Sequence, residues 1–338
     1  MTWFTKLTGI DEESPELVRR EISVEGEHLI CPGGKRIAFG RLETPKLAEL
    51  RQAVAHLNPK PKRTTICEVV GDVRKLHADP ANANALFQVA SQFNLLEMTG
   101  PSVTPERGVG IYENDPTQGP ACAIACGAGT IYRNYFTPVG DSIGQNEHNQ
   151  IDCSFDLGRQ LDSAGDSLWT MRNGYLFPTD AGLQKITTKL QDSSEDQLND
   201  FRGELRIGLQ WEADVTLPGA SHKVSQAYCS ALPVAYGRHP TETWADFAKL
   251  ILDAAYEATF CAAVLNASRT GNSIIYLTLL GGGVFGNRDE WIIAAIQRAF
   301  QLHRQHGLDI RIVSYGHSQT AVAELAQRLG THSPTRVR

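Results

Sequence analysis

The chain lacks the marks of several large protein classes. Its 338 residues carry a net charge of -6 with no basic stripe interleaved with aromatics, which argues against nucleic acid as the main ligand. The opening MTWFTKLTGIDEESPELVRRE holds no uninterrupted apolar core, so no signal peptide is expected. No stretch reads as a membrane span, since the apolar segment 245–266 carries Asp246, Lys249, Asp253 and Glu257. His148, His222, His239 and His317 form no HxxxH or Cys-His pattern, so no metal is expected. A GxSxG elbow and internal repeats are also absent. The seven cysteines are scattered and odd in number, mostly in apolar surroundings such as ICEVV and TFCAAV, the usage of reduced thiols in a cytosolic protein. Cys122 and Cys126 stand one helical turn apart, a spacing read as small-residue packing in a single helix over GPACAIACGAGTIYRNYF.

What is present includes four glycines in TLLGGGVFGNRDEW, residues 278–291. The preceding SIIYLTLL is continuously apolar and reads as a strand covered on both faces. Beyond the glycines, Asn287 is a candidate N-cap, Asp289 and Glu290 fall in a first turn, and Ile292, Ala295, Ile296, Ala299 and Leu302 recur at helical spacing. DIRIVSYG supplies the next strand, completing a βαβ unit. One or two glycines would only serve a tight turn. Four at a strand's carboxyl end, ahead of a helix, let bare backbone approach an anion such as a pyrophosphate. The turn spells neither GxGxxG nor GxxxxGK[ST], so a nucleotide triphosphatase is not indicated.

Residues 1–62 read as a helical N-terminal extension ending in the linker NPKPKR, and residues 63–330 as the main domain. TTICEVVGDV and ALFQVASQF read as strands, and residues 101–117 as a candidate binding loop too long for a simple connection. An insertion over about 141–203 carries strand signals at QIDCSFDLG and DSLWTMRNGYLFP, the second with an Asn-Gly turn, then charged helix. ELRIGLQWEADVTLP and HKVSQAYCSALPVAYG are two further strands before a long amphipathic helix. That order is the order of a three-layer α/β fold with a mixed sheet.

EVVGDVRKL, ALFQVASQFNLLEM, ELRIGLQWEADVTLPGASHKVSQAYCSALPVAY and TLLGGGVFGN, in this order over residues 64–318, together resemble a macrodomain, the ADP-ribose-binding α/β/α fold. A glycine run that follows the first-loop Asn in ordinary macrodomains is replaced here by LLEMTGPSVTPERG. The wording QVASQFNLLEM, TQGPACAI, GAGTIYRNYF and YCSALPVAY is similar to a divergent group that removes ADP-ribose from arginine side chains. This resemblance implies a hydrolase without cofactor whose partners are ADP-ribose and an ADP-ribosylated protein. The alternatives are a non-catalytic reader of ADP-ribose and a hydrolase of another linkage.

The resemblance also assigns roles. Asp72 would accept from the adenine amino group beside the Val73 N–H, and Asn94 would lie near the terminal ribose. Gly282, Gly283, Val284, Phe285, Gly286 and Asn287 would form the pyrophosphate loop, and Tyr315 would stack on adenine or serve the core. Thr117, Gln118, Gln92 and Glu97 are nearby polar candidates that also suit capping or loop bonds. Cleaving an N-glycosidic bond to arginine needs acid–base help and carboxylates facing a permanently charged guanidinium. Glu212 and Asp214 in LQWEADVT alternate on a strand, so they should share a face and suit that work. A solvated strand face explains them equally. Asp289 and Glu290 are the second pair, with a helix-dipole explanation of their own.

Overall fold

The computed structural model describes residues 1–58, 60–162 and 168–330, and the backbone of Thr335–Arg336. Pro59 of the expected linker and Asp166 and Ser167 of the expected hairpin lie outside the described residues. An eight-stranded sheet runs in the order Thr335–Arg336, Thr65–Val70, Asp309–Ser314, Ile274–Leu277, Leu86–Ala90, Lys223–Cys229, Gly208–Asp214, Arg41–Glu43. Gly208–Asp214 pairs antiparallel with both neighbours, and every other neighbouring pair is parallel. The sheet is therefore mixed, as expected.

Both faces are covered. Side chains alternate along Leu86–Ala90, so Phe87 stacks on His77 of helix Val73–Ala78 at 3.7 Å between centroids, while Gln88 bonds Thr259 of helix Ala245–Thr270 on the other side. Leu86, Phe87 and Val89 are fully buried. The 26-residue helix Ala245–Thr270 is built from small apolar residues and ends where Gly271 turns left-handed at φ 79°. By length and composition it could cross a bilayer, contrary to the expectation that no stretch would, yet most of it is buried in the core. Its Asp253 and Glu257 meet arginines inside the protein rather than forming a wet face.

Three local expectations are corrected. Residues 1–62 are not simply helical: strands Ser23–Glu25, His28–Ile30 and Arg36–Ala38 form a three-stranded antiparallel sheet, and Arg41–Glu43 joins the main sheet. Helix Leu47–Leu57 also feeds Leu47, Leu50 and Val54 into the main core, so this region is not a detachable appendage. QIDCSFDLG is not a strand, because the Asp152 carboxylate accepts from both N–H and hydroxyl of Ser154 and starts helix Phe155–Leu161. The helix expected over GPACAIACGAGTIYRNYF breaks at Cys126 into Gln118–Ala125 and Gly127–Tyr135, since the Gly127 N–H donates to the Thr216 hydroxyl at 2.9 Å. The Asn-Gly hairpin is present between Trp169–Arg172 and Tyr175–Pro178, with Asn173 and Gly174 at φ 47° and 78°.

Candidate active site

A cleft of about 580 Å3 opens at the carboxyl ends of Leu86–Ala90, Lys223–Cys229 and Ile274–Leu277, lined there by Ala90, Cys229 and Thr278. This is where open parallel sheets bind ligands, and the volume suits a nucleotide-sized molecule. One wall is the glycine loop. Gly281 (φ 70°) and Gly286 (φ 71°) are required by shape: a Cβ at the first would lie 2.6 Å from Ala231 Cβ, and at the second 2.8 Å from Ala235 Cβ. Gly283 faces open space, with no atom within 4 Å of where its Cβ would be.

The loop uses some of its amides internally and leaves others free. Gly282 N–H donates to Leu279 O, Gly286 N–H to Gly283 O and Asn287 N–H to Gly281 O, at 2.9 to 3.1 Å. Among the described residues, the N–H groups of Gly283, Val284 and Phe285 have no main-chain partner, and all three residues line the cleft. Gly282 and Gly286 hold the turn and do not line the cleft. Asn287 is not the N-cap: helix Asp289–His303 is preceded by Arg288, and the buried Asn287 amide donates to Leu232 O at 2.8 Å, tying the loop to the neighbouring segment.

A second wall is lined by Ser91, Gln92, Glu97 and Met98, from a bent loop over 91–98, and by residues 114–120. Gln92 locks the bent loop, its Nε2 donating to Met98 O at 3.2 Å and its Oε1 accepting from Met98 N at 2.9 Å. Leu95 completes the bend at φ 65°. Glu97 is thereby turned into the cleft, 2 % exposed, and neither of its carboxyl oxygens has a hydrogen-bond partner. Burial pushes its pKa up to about 8, with the Asp115 charge adding to the rise and Arg133 opposing it. Glu97 is therefore a neutral acid at pH 7, held near the half-buried carboxylate of Asp115, which accepts from Thr117 N at 2.8 Å. Thr117 and Gln118 line the cleft at the start of helix Gln118–Ala125. Gly119 lets that helix press onto the sheet, where a Cβ would sit 2.2 Å from Ala90 O. Tyr175, Tyr236 and Phe285 close one end as three rings with centroids 5.4 to 5.7 Å apart.

Several expected site residues stand elsewhere. Asn94 is fully buried and does not line the cleft; its Nδ2 donates to Gln150 Oε1 at 2.9 Å and its Oδ1 accepts from Leu96 N at 3.1 Å, so it fastens the loop. Glu212 and Asp214 lie at the wrong edge of the sheet. Asp214 is in register with Lys223, the first residue of the strand whose last residue, Cys229, lines the cleft, a separation of about 20 Å along the strand. They do not share a regular face either, because the register shifts between Gln210 and Ala213 and Glu212 turns to φ 56°. Glu212 instead pairs with Arg269 at 2.8 Å, and Asp214 accepts from Ala38 N at 2.7 Å. Asp289 and Glu290 open their helix and do not line the cleft.

Asp72 and Tyr315 follow strands Thr65–Val70 and Asp309–Ser314, on the cleft's edge of the sheet but outside its lining. Asp72 caps helix Val73–Ala78 by accepting from Arg74 N at 2.8 Å, Val73 is buried, and Tyr315 is 75 % exposed. Asp115, Tyr175 and Tyr236 were not singled out by sequence; only the length of the loop over 101–117 pointed to the first. No group of three or more potential metal ligands occurs among the described residues.

No family model and no curated protein matches the chain. Among solved structures it is similar to poly(ADP-ribose) glycohydrolase from Deinococcus radiodurans with ADP-ribose bound, at 13% identity over 85% of this chain and 92% of that one, TM-score 0.43. A second similar structure is poly(ADP-ribose) glycohydrolase from Thermomonospora curvata, at 12% identity over 93% and 95%, TM-score 0.45. Overlaps this loose leave the functional reading to the cleft's own residues. Those residues define a three-layer α/β protein with a cleft that pairs free backbone amides on one wall with a neutral acid on the other.

Proposed function

We propose that the chain is a hydrolase that removes ADP-ribose from arginine side chains of modified proteins. The observation that carries the proposal is Glu97, buried with both oxygens unpartnered in a cleft that a loop with three free amides also lines. A buried carboxyl with no partner is costly to a fold and gathers at functional sites. In this reading the N–H groups of Gly283, Val284 and Phe285 hold the diphosphate. The adenosine end extends toward Tyr315 and Asp72, which follow the strands one and two places beyond Ile274–Leu277, about 5 to 10 Å away. The terminal ribose reaches Glu97, Asp115, Thr117 and Gln118.

The chemistry follows from the two acids. The bond from the anomeric carbon to the guanidinium nitrogen breaks, and its electron pair leaves with the guanidine. Glu97 gives its proton to that nitrogen. Water bonds to the anomeric carbon while Asp115 takes its proton and offsets the positive charge on the ribose. Proton exchange with solvent restores both groups. The permanently charged guanidinium of the substrate favours a site that holds a carboxylate, the part Asp115 takes in this reading. Six of the seven thiols are buried and none is paired, which supports a reducing, cytosolic setting.

A substrate panel tests the proposal: proteins carrying ADP-ribose on arginine, on acidic side chains as esters, and O-acetyl-ADP-ribose, with released ADP-ribose measured by mass spectrometry. Release from arginine alone or foremost is expected. Release only from esters would overturn the linkage, and binding without release from any substrate would make the chain a reader.

A further inference from the structure

We propose that Glu12, in the N-terminal extension, is a positioning residue for the cleft and that the extension is thereby part of the site. This inference rests on the functional reading of Glu97 and Asp115 above. The Glu12 carboxylate accepts from Val109 N at 2.8 Å and Gly110 N at 2.6 Å, and the Tyr135 hydroxyl donates to it at 2.7 Å. The chain makes room for it. At Gly108, which sits at φ 85°, and at Gly110, a Cβ would come within 2.7 Å of the Glu12 carboxylate. Two further bonds hold the same turn to the start of the chain: Trp3 N donates to Glu113 Oε2 at 2.9 Å, and Trp3 Nε1 to Val109 O at 3.1 Å.

The turn so held is the short helical segment Gly110–Asn114, and it governs both acids of the cleft. Asn114 and Asp115, which line the cleft, are its last residue and the next. Tyr112, fully buried within it, accepts the main-chain N–H of Glu97 at 3.0 Å. One carboxylate outside the cleft thus fixes a single turn, and that turn fixes Asp115 through the chain and Glu97 through a hydrogen bond. Among the described residues no hydrogen bond joins the glycine loop to this network, so diphosphate binding should be insensitive to it. Geometry of reacting groups at the 1 Å scale is worth up to about a hundredfold in rate.

Glu12→Gln keeps the size of the side chain but cannot accept from both amides and the hydroxyl in the same way. The expected result is a fall in kcat of about ten- to a hundredfold, with ADP-ribose affinity by calorimetry changed less than about threefold and faster hydrogen exchange at 109–115 but not at 281–286. Tyr135→Phe, which removes one donor and keeps the fold, should shift kcat in the same direction by a smaller factor. Unchanged kcat and unchanged exchange in both variants would overturn the proposal, as would parallel loss of kcat, affinity and folded protein in both. If wild type releases no ADP-ribose, the functional reading fails separately, while the exchange comparison still decides whether Glu12 holds the turn.

Discussion

Two buried glutamates on opposite sides of the sheet show what the fold does with charge. Glu257, on the long helix, is gripped by Arg51 through Nε at 2.5 Å and Nη2 at 2.9 Å and by Arg298 at 2.6 Å. Burial alone would raise its pKa, but the two guanidiniums win and hold it below the ordinary carboxylate range. Glu97 is at least as buried and has no hydrogen-bonded partner, so burial wins there and the group keeps its proton to about pH 8. One carboxyl is used to join elements: Arg51 lies on Leu47–Leu57 and Arg298 on Asp289–His303. The other is left without a hydrogen-bond partner in the lining of the cleft. Partnering, more than burial, separates the structural acid from the chemical one.

The largest effect that would sharpen this contrast is on turnover. Glu97→Gln should lower kcat for ADP-ribose release by about a thousandfold, the scale of removing a general acid, while calorimetry shows ADP-ribose still bound. Glu257→Gln should leave affinity intact and destabilise the fold by about 3 to 5 kcal/mol in denaturant titration, because it strands two guanidiniums. Gly283→Glu should abolish measurable ADP-ribose binding by setting a carboxylate where the diphosphate lies, with unfolding unchanged, since that position faces open space. Retained affinity in this variant would remove the loop assignment.

The two acids should also part in their dependence on pH. The folded-state pKa of Glu97 lies above its unfolded value, so its contribution is fully present below about pH 4.5 and is lost as pH rises through about 8. Wild type should therefore lose stability over that window, on the order of a few kcal/mol by pH 9, and Glu97→Gln should not. Glu257 has the opposite sign: its folded pKa is lowered, so its contribution is present above the unfolded value and lost in acid. The smallest effect belongs to Glu212→Gln, which breaks a half-exposed pair with Arg269, should cost no more than about 1 kcal/mol, and should leave kcat unchanged. A large loss of kcat there would restore the pair on the far edge as the chemical site.

Much of the architecture was legible because it follows from local pattern. Continuous apolar runs such as SIIYLTLL mark strands covered on both faces, and the glycine turn between strand and helix marks the edge where the cleft opens. The site was legible on the wall built from consecutive residues, Gly283, Val284 and Phe285, and in part on the other, where the candidates Gln92, Glu97, Thr117 and Gln118 also line the cleft. Its other wall depends on contacts distant in sequence: Tyr175 shapes the loop that carries Glu97, and residues 1–12 hold the turn that carries Asp115. Alternation also misled at Glu212 and Asp214, where a bulge breaks the period and an antiparallel partner reverses the direction of the strand. Period fixes which face a side chain takes, but not which end of the sheet it reaches.

The most direct measurement is a carbon-13 NMR titration of the glutamate carboxyl groups, with the Glu97 resonance identified by its absence in Glu97→Gln. A midpoint near pH 8 in free wild type is predicted, alongside a Glu257 signal that titrates below the normal range. A Glu97 midpoint near 4 would show a solvated or partnered carboxylate, and the neutral acid on which the proposed chemistry depends would not exist.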